Sequence, residues 1–300
     1  MGAPRAIQAL DLSKRYGSVQ ALDGLNLTVD QGQIFGFLGP NGAGKTTTMR
    51  LLLDLIRPSR GRAEVLGLDS RRDSLAIRRR VGYLPGDVAL YRPLTGLGLL
   101  ATLDDLRGGG NLSRGRDLAE RLDLNLSRRI GEYSTGMVQK LGAIIALMSR
   151  PDLLILDEPT KGLDPLVQVE VYNILSEERE RGCTVFVSSH ILTEVERLCD
   201  RVGILRQGRL VAVEDVQAIR HKRVRILTVS FSQPVSPAAL AIDGIEVRRM
   251  DGREATLAVR GHVPDLLRRL AELPVDDFAF PEATLEDTFM EFYGGEGQGR

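Results

Sequence analysis

The sequence feature that most constrains the fold is a glycine-rich run that ends in lysine and threonine. It fits G-x-x-x-x-G-K-[ST], a pattern that forms a phosphate-binding loop. The glycines permit a tight turn that aims successive N–H groups at phosphate oxygens, Lys45 adds a positive charge, and the Thr46 hydroxyl can ligate Mg²⁺. The loop residues are Gly39, Pro40, Asn41, Gly42, Ala43, Gly44, Lys45, Thr46 and Thr47.

The segments on either side of the loop give the motif the context that it requires. A short apolar run at 34–38 is typical of a buried strand, and residues 46–55 predict a helix that ends near Pro58. The alternative is a glycine-rich turn with an incidental lysine. The order of strand, loop and helix favours a site for a nucleoside triphosphate.

Composition sets limits on the protein class. The 300 residues are 43% apolar and 27% charged, which is ordinary for a globular protein with a sizeable core. Basic and acidic residues balance at 40 each, so no overall positive charge attracts nucleic acid or anionic lipid. Cys183 and Cys199 lack metal-site spacing and are expected to be buried free thiols. We find no apolar run of about 18 residues for a membrane span, and no signal-peptide core in residues 1–8.

Strand and helix patterns alternate through the first two thirds of the chain, which predicts a parallel sheet with right-handed crossovers. The character changes near residue 222, where a small α+β segment begins. Strands are expected at 7–12, 25–29, 34–38, 62–66, 81–84, 153–156, 183–188, 202–205, 210–213, 223–231, 245–247, 255–259 and 278–280. Residues 14–17 are read as a separator of the first two strands. Helices are expected at 46–55, 74–80, 166–181, 191–198 and 263–273, with a helical region at 94–148 that three glycines interrupt.

A second apolar strand ends in two carboxylates, Asp157 and Glu158, about 110 residues after Lys45. In phosphate-loop ATPases an aspartate at this place helps to hold Mg²⁺. The neighbouring carboxylate can orient, or accept a proton from, the water that attacks the γ-phosphate. Successive residues at a strand end point in different directions, so each can serve one task. The alternative is a solvated acidic pair before a proline turn.

The segment Tyr133-Ser134-Thr135-Gly136-Met137 resembles the signature motif of ABC transporter ATP-binding subunits, usually Leu-Ser-Gly-Gly-Gln. Ser134 and Gly136 match it, whereas Tyr133, Thr135 and Met137 depart from it. Ser134 can cap the helix that follows, and the N-terminus of that helix offers N–H groups to a phosphate. Together with the phosphate loop and the carboxylate pair, these residues make the chain similar to such a subunit from residue 5 to about 220.

The resemblance assigns roles to further positions. Tyr16 stands where an aromatic residue stacks on adenine, Asp164 where a loop couples the two sites of a dimer, and His190 where a histidine contacts the γ-phosphate. One position departs from the family, because Gly86 replaces a glutamine or glutamate whose oxygen reaches Mg²⁺. Either Asp87 takes over that contact, or the contact is lost and the loop senses a partner; the hypothesis adopted is that Asp87 substitutes as a ligand of Mg²⁺. His221 and His262 match nothing in the family.

The resemblance also implies fold and domains. It predicts an α/β fold: a P-loop NTPase core with an antiparallel β subdomain and a helical insertion, plus a small C-terminal α+β domain. The expected division is 1–222 for an ABC-type ATP-binding domain, with a helical subdomain at about 86–150, and 223–300 for an accessory domain with a disordered tail at 294–300. Residues 281–289 are similar to the closing segment of drug, antibiotic or lipid exporters. The alternative is simple packing, because residues 284–292 also place apolar side chains at helical spacing.

The implied function is an ATPase that uses ATP and Mg²⁺ and forms a homodimer with each ATP between the phosphate loop of one subunit and Ser134 of the other. It would drive a separately encoded membrane permease that exports drug-like, antibiotic or lipid substrates, and it would lie at the cytoplasmic face of the membrane. The alternative is a soluble ATPase of the same superfamily acting on ribosomes or DNA. A single nucleotide unit, a short Lys45–Asp157 interval and a neutral charge disfavour it, and no nucleic acid is expected as a partner. A binding protein without turnover conflicts with the presence of Glu158 and His190.

Overall fold

A computed structural model describes residues 4–221, 225–240, 242, 244–259 and 263–280. The segment 281–289, the tail 294–300 and His262 lie outside these residues. The chain divides into two compact units, Met1–Asp215 and Val216–Arg300. This structural division falls several residues before the boundary expected at 222/223.

The described residues form strands and α-helices with the following bounds. The strands are β1 (Arg5–Tyr16), β2 (Val19–Asp30), β3 (Ile34–Leu38), β4 (Arg60–Val65), β5 (Leu68–Asp69), β6 (Val81–Leu84), β7 (Leu153–Asp157), β8 (Thr184–Ser189), β9 (Arg201–Arg206), β10 (Arg209–Asp215), β11 (Arg225–Phe231), β12 (Ile245–Asp251), β13 (Glu254–Val259) and β14 (Val275–Ala279). The helices are α1 (Lys45–Leu52), α2 (Ser74–Arg80), α3 (Gly96–Leu106), α4 (Leu112–Arg121), α5 (Thr135–Leu147), α6 (Pro165–Glu180), α7 (Leu192–Leu198), α8 (Val216–His221) and α9 (Val263–Ala271). Short 3₁₀ helices lie at Ile130–Glu132 and Pro237–Leu240.

A six-stranded sheet forms the centre of the first unit, in the order β10-β9-β3-β8-β7-β6. All neighbours are parallel except β10 and β9. The predicted parallel sheet is therefore confirmed. Strand β8 lies between β3, which leads into the phosphate loop, and β7, which ends at Asp157. Because the carboxyl ends of parallel strands share one edge, the loop, Asp157 and the end of β8 meet there.

The apolar composition of the central strands explains why they are buried in the middle of the sheet. Every residue of β3, β7 and β8 is buried, as expected for a parallel sheet covered on both faces. The Phe186 ring lies 5.9 Å from that of Phe35 and 5.2 Å from that of Phe37, measured between centroids. This aromatic contact fixes β8 against β3 next to the loop.

A second sheet, β2-β1-β4-β5, is antiparallel and supplies the predicted antiparallel subdomain. The expectation that residues 14–17 separate the first two strands is wrong, because β1 continues to Tyr16, which pairs with Val19. Gly17, with φ of 57°, begins the turn. Charged side chains at this end of β1 face solvent while the backbone hydrogen bonds to β2 continue. The sequence pattern therefore lacks the apolar residues that would indicate a strand.

The region between β6 and β7 contains α3, α4 and α5. Thr95 caps α3 by accepting a hydrogen bond from Gly98 N at 3.0 Å. Gly108, Gly109 and Gly110 all have positive φ and separate α3 from α4, as the sequence predicts. Among the described residues, every helix is too short or too polar to span a bilayer. Cys183 and Cys199 are buried and free, and burial raises the pKa of Cys183 to about 12.

The second unit is α+β. Its sheet has the order β12-β13-β11-β14, and all pairs are antiparallel. Its own buried cluster includes Val229, Phe231 and Leu257 from the sheet with Leu266 and Leu270 from α9. The second unit therefore has a hydrophobic core of its own.

Candidate functional site

The loop after β3 encloses a small cleft at the start of α1. The cleft has a volume of about 150 Å³ and is lined by Ala21, residues 41–47 and Glu158. A Cβ on Gly39 would lie 2.4 Å from the Leu205 carbonyl oxygen, and one on Gly44 would lie 2.6 Å from that of Ala21. Gly44 also has φ of 109°. Only glycine fits these two positions, because a side chain would collide with the backbone of β9 at Gly39 and of β2 at Gly44.

Lys45 holds a positive charge at the base of this cleft. Its buried ammonium donates to the carbonyl oxygens of Gly39 at 2.6 Å and Pro40 at 3.2 Å, and it lies 3.8 Å from Glu158 Oε1. Burial lowers the pKa of Lys45, while the charges of Glu158 and Asp157 oppose this effect. Lys45 is also the first residue of α1, whose N-terminus adds a partial positive charge. The cleft is suited to an anion of phosphate size.

Thr46 and Asp157 meet although they are 111 residues apart. Thr46 Oγ1 donates to Asp157 Oδ2 at 2.6 Å, and Asp157 is buried. A hydroxyl and a carboxylate are hard oxygen donors, which Mg²⁺ prefers together with waters and substrate phosphates. Within the described ranges no cluster of three or more His, Cys, Asp or Glu is arranged to hold a metal. This donor set fits a Mg²⁺ ion shared with a phosphate ligand.

Glu158 points away from Asp157, toward the cleft and His190. Glu158 follows the last residue of β7 and has a φ of 51°, so its side chain departs from the alternation of the strand. Glu158 Oε1 lies 2.9 Å from His190 Nδ1. Because a carboxylate only accepts hydrogen bonds, Nδ1 carries the proton and Nε2 remains for a ligand. Gln139 Nε2 donates to the carbonyl oxygens of Glu158 and Pro159 at 3.2 and 3.3 Å.

The start of α5 contains the signature-like residues. Ser134 is the N-cap, and its Oγ accepts from the Met137 N–H at 3.3 Å, which confirms the predicted cap. Thr135, Gly136 and Met137 form the first turn. A Cβ on Gly136 would lie 2.9 Å from the Gly162 carbonyl oxygen, so this turn packs on the segment before Asp164. None of these residues lines the cleft of the same chain.

Asp164 starts α6. It is the N-cap of that helix and accepts from the Val167 N–H at 3.1 Å. Tyr16 lies at the exposed end of β1, with its ring centroid 4.9 Å from Lys14 Nζ. Tyr16 is not part of the cleft lining in the described chain. Its role in adenine binding, like the coupling role of Asp164, stays a prediction.

Gly86 and Asp87 differ in what they contact. A Cβ on Gly86 would lie 3.0 Å from Asp157 Oδ2, so residue 86 is beside the proposed metal ligand. The Asp87 side chain is 95% exposed, and its carboxylate lies 3.4 Å from Lys161 Nζ. Lys161 Nζ is also 3.4 Å from the Gly86 carbonyl oxygen. These contacts favour the second alternative, in which the side-chain contact to Mg²⁺ is lost at this loop.

Sequence reasoning missed two polar residues that support the site. Ser188 donates to Asp157 Oδ1 at 2.5 Å, and Glu194 accepts from Thr160 Oγ1 and Ser189 Oγ, both at 2.6 Å. The signal was two serines at the end of an otherwise apolar strand. Their partners depend on strand order, which the sequence does not display.

Comparison with known proteins identifies the family. The family model described as "ABC transporter" matches residues 22–161. The chain is 35% identical over 298 residues to the bacitracin transport ATP-binding protein BcrA of Bacillus licheniformis, which covers 96% of this chain and 97% of the relative. It is 34% identical over 309 residues to the daunorubicin resistance ATP-binding protein DrrA3 of Streptomyces coeruleorubidus, covering 98% of each.

Solved structures agree with this family. A structure described as an ATP-binding subunit of an ABC transporter is 32% identical, with a TM-score of 0.67, and covers 72% of this chain and 92% of its own. A dimeric bacterial ABC transporter cassette, 23% identical with a TM-score of 0.65, covers 70% of this chain and 98% of its own and supports the fold alone. The predicted α/β fold class is confirmed. The chain therefore belongs to the ABC transporter family, as one of its ATP-binding ATPase subunits.

Proposed function

We propose that this protein hydrolyses ATP as a homodimer and thereby powers a separately encoded permease that exports drug-like, antibiotic or lipid substrates. The observation that carries the catalytic part is the meeting of Thr46, Asp157, Glu158 and His190 at one sheet edge beside the phosphate loop. We place the protein at the cytoplasmic face of the membrane, held by its permease.

Each side chain has a task in this proposal. Lys45 and the N–H groups of the loop bind the phosphates. Thr46 and Asp157 hold Mg²⁺, which when bound neutralises charge on the transferred phosphoryl group. Glu158 orients the attacking water and accepts its proton. His190 Nδ1 donates to the Glu158 carboxylate, and Nε2 can donate to the γ-phosphate when the ring carries a proton on both nitrogens.

The position of the signature-like turn supports the proposed dimer. Ser134, Thr135, Gly136 and Met137 present the N-terminus of α5 but do not line the cleft of their own chain. A helix N-terminus with a serine cap is suited to a phosphate. A second copy related by a two-fold axis can supply this turn to the ATP. Asp164 lies on the segment that packs against this turn.

The export proposal rests on similarity over the full chain. The similarity to relatives named for bacitracin transport and daunorubicin resistance extends beyond residue 222. We propose that residues 223–300 form the accessory domain of such an exporter subunit. The substrate itself contacts the permease.

Glu158→Gln tests the catalytic cycle. It keeps the shape of the side chain but weakens the base, so ATP turnover should fall by about 10²–10⁴-fold. The ATP-bound dimer should then accumulate in size-exclusion chromatography with saturating ATP and Mg²⁺. Glu180→Gln, on the exposed end of α6, is the matched control. A Glu158→Gln protein that remains monomeric under these conditions argues against the ATP-bridged dimer.

Co-expression tests the transport part. Cells that carry this gene with the neighbouring membrane-protein gene should survive higher bacitracin or daunorubicin concentrations, and Glu158→Gln should abolish the gain. Equal survival with both versions over a panel of drugs, antibiotics and lipids would exclude the export proposal. Salt-sensitive co-purification of RNA or DNA would favour the soluble ATPase instead.

A further inference from the structure

Ser188 contacts both carboxylate residues of the site from a fully buried position on β8. Its Oγ donates to Asp157 Oδ1 at 2.5 Å and accepts from the Glu158 N–H at 3.1 Å. Ser188 stands opposite Asp157 in the parallel register of β7 and β8. The contact therefore follows from strand order, since β8 lies between the loop strand and the Asp157 strand.

The backbone of Glu158 explains why a hydroxyl is needed at this place. With φ of 51°, Glu158 leaves the strand conformation, so its N–H no longer continues the ladder between β7 and β8. A buried N–H without an acceptor is costly. A serine hydroxyl has one proton and two lone pairs. It can therefore accept from Glu158 and donate to Asp157 at the same time.

Asp157 is held from both sides. Thr46 Oγ1 donates a hydrogen bond to Asp157 Oδ2 at 2.6 Å, and Ser188 Oγ donates one to Asp157 Oδ1 at 2.5 Å. Two donors from different elements fix the plane of the carboxylate, and Oδ2 is kept on the side of the phosphate loop. A carboxylate with one donor can rotate about its last bond.

We propose that Ser188 is a positioning residue for metal binding and for the start of the Glu158 turn. It orients Asp157 Oδ2 toward Thr46 and anchors the Glu158 backbone, and it touches neither metal nor nucleotide. This inference rests on the proposed metal role of Asp157.

Thr184 offers a matched control on the same strand. It is buried at the opposite end of β8, and its Oγ1 accepts from the Gly32 N–H at 3.0 Å. Thr184→Val removes a buried hydroxyl far from the carboxylates, just as Ser188→Ala removes one beside them. A merely structural role for Ser188 predicts that both variants lose stability and that neither changes metal affinity selectively.

The experiment measures Mn²⁺ binding to the full-length protein by electron paramagnetic resonance, with a non-hydrolysable ATP analogue. Nucleotide binding in EDTA is measured in parallel. Ser188→Ala should weaken Mn²⁺ binding roughly 10- to 100-fold, the range for a lost hydrogen bond to a metal ligand. Nucleotide affinity in EDTA should stay unchanged. Ser188→Thr, which retains the hydroxyl, and Thr184→Val should both bind Mn²⁺ like the wild type.

The outcomes separate this inference from the proposed function. If the wild type gains no Mn²⁺ affinity with nucleotide, the metal role of Asp157 is wrong and the role of Ser188 is overturned with it. If the wild type and Ser188→Ala bind Mn²⁺ equally, only the inference about Ser188 is overturned. The inference about Ser188 is also overturned if folded Ser188→Thr binds Mn²⁺ as weakly as Ser188→Ala does. The same conclusion follows if Thr184→Val loses as much Mn²⁺ affinity as Ser188→Ala.

Discussion

Glu177 and Glu178 are neighbours on α6 with different surroundings. Glu178 is 3% exposed, and its two oxygens bind the guanidinium groups of Arg114 on α4 and Arg181 after α6. Arg114 Nε also donates to the Leu147 carbonyl oxygen at 3.3 Å, at the end of α5. One buried carboxylate thus connects the three helices. We predict that Glu178→Ala destabilises the first unit strongly.

The magnitude follows from burial. Breaking a buried ion pair by removing one partner costs about 3–5 kcal/mol, because the remaining charge is uncompensated. The side chains of Arg114 and Arg181 are partly exposed, so water recovers some of this energy and we expect about 3 kcal/mol. At 2–4 °C per kcal/mol for a unit of this size, the melting temperature should fall by roughly 6–12 °C. Glu178→Gln keeps the shape of the side chain, so its melting temperature should lie between those of the wild type and Glu178→Ala.

Glu177 provides the control. Its side chain is 54% exposed, and its partner Arg121 retains Glu170 at 2.7 Å when Glu177 is removed. The hydrogen bonds from Arg121 lower the pKa of Glu177, but solvent reduces the value of an exposed pair. Glu177→Ala should therefore cost less than about 1 kcal/mol.

The assay is thermal unfolding of the full-length protein by circular dichroism at neutral pH. It follows the transition of the first unit for the wild type and the three variants. Raising the salt concentration should reduce the Glu177 effect more than the Glu178 effect, because buried pairs are screened less. Equal losses for Glu177→Ala and Glu178→Ala would refute the argument that burial decides the magnitude.

Two further predictions concern residues outside the lining of the cleft, Asp87 after β6 and Glu194 on α7. Asp87→Ala should leave the Mg²⁺ dependence of ATP hydrolysis within about twofold of the wild type, because the carboxylate contacts Lys161 in solvent; a clearly raised Mg²⁺ requirement would restore Asp87 as a metal ligand. Glu194→Ala should lower kcat by about tenfold with little change in KM, since the hydroxyls of Thr160 and Ser189 lose their common acceptor. Glu194→Gln should lower kcat less than Glu194→Ala does. Equal kcat values for the two variants in steady-state kinetics would contradict this reasoning.

The sequence predicts the core elements of the site well because the physics there is local. The apolar runs of Ile34–Leu38 and of residues 153–156 form buried parallel strands, since a sheet covered on both faces is the place that accepts a continuous apolar run. The glycines of the loop report a backbone conformation directly. Ser134 caps α5 because a serine before a helix satisfies free N–H groups whatever the fold.

Other parts depend on strand order and backbone turns that no local pattern records. The predicted hairpin of β1 and β2 is too short, because the charged side chains of Lys14 and Arg15 and the exposed ring of Tyr16 are typical of a loop although the backbone hydrogen bonds continue. The left-handed conformation of Glu158 is unusual for a residue with a side chain and leaves no trace in the sequence. Ser188 reaches the site because β8 lies between β3 and β7, and the sequence does not display this strand order.

The end of β8 joins the parts of the site. Successive strand residues face opposite sides, and here Ser188 and His190 face Asp157 and Glu158, while Ser189 faces Glu194 on α7. Glu194 in turn holds Thr160, which lies on the segment between Glu158 and the start of α6. A shift of this single strand end would move the metal carboxylate, the base and the segment toward Asp164 together. Because the groups share partners, substitutions among them should not have additive effects on turnover.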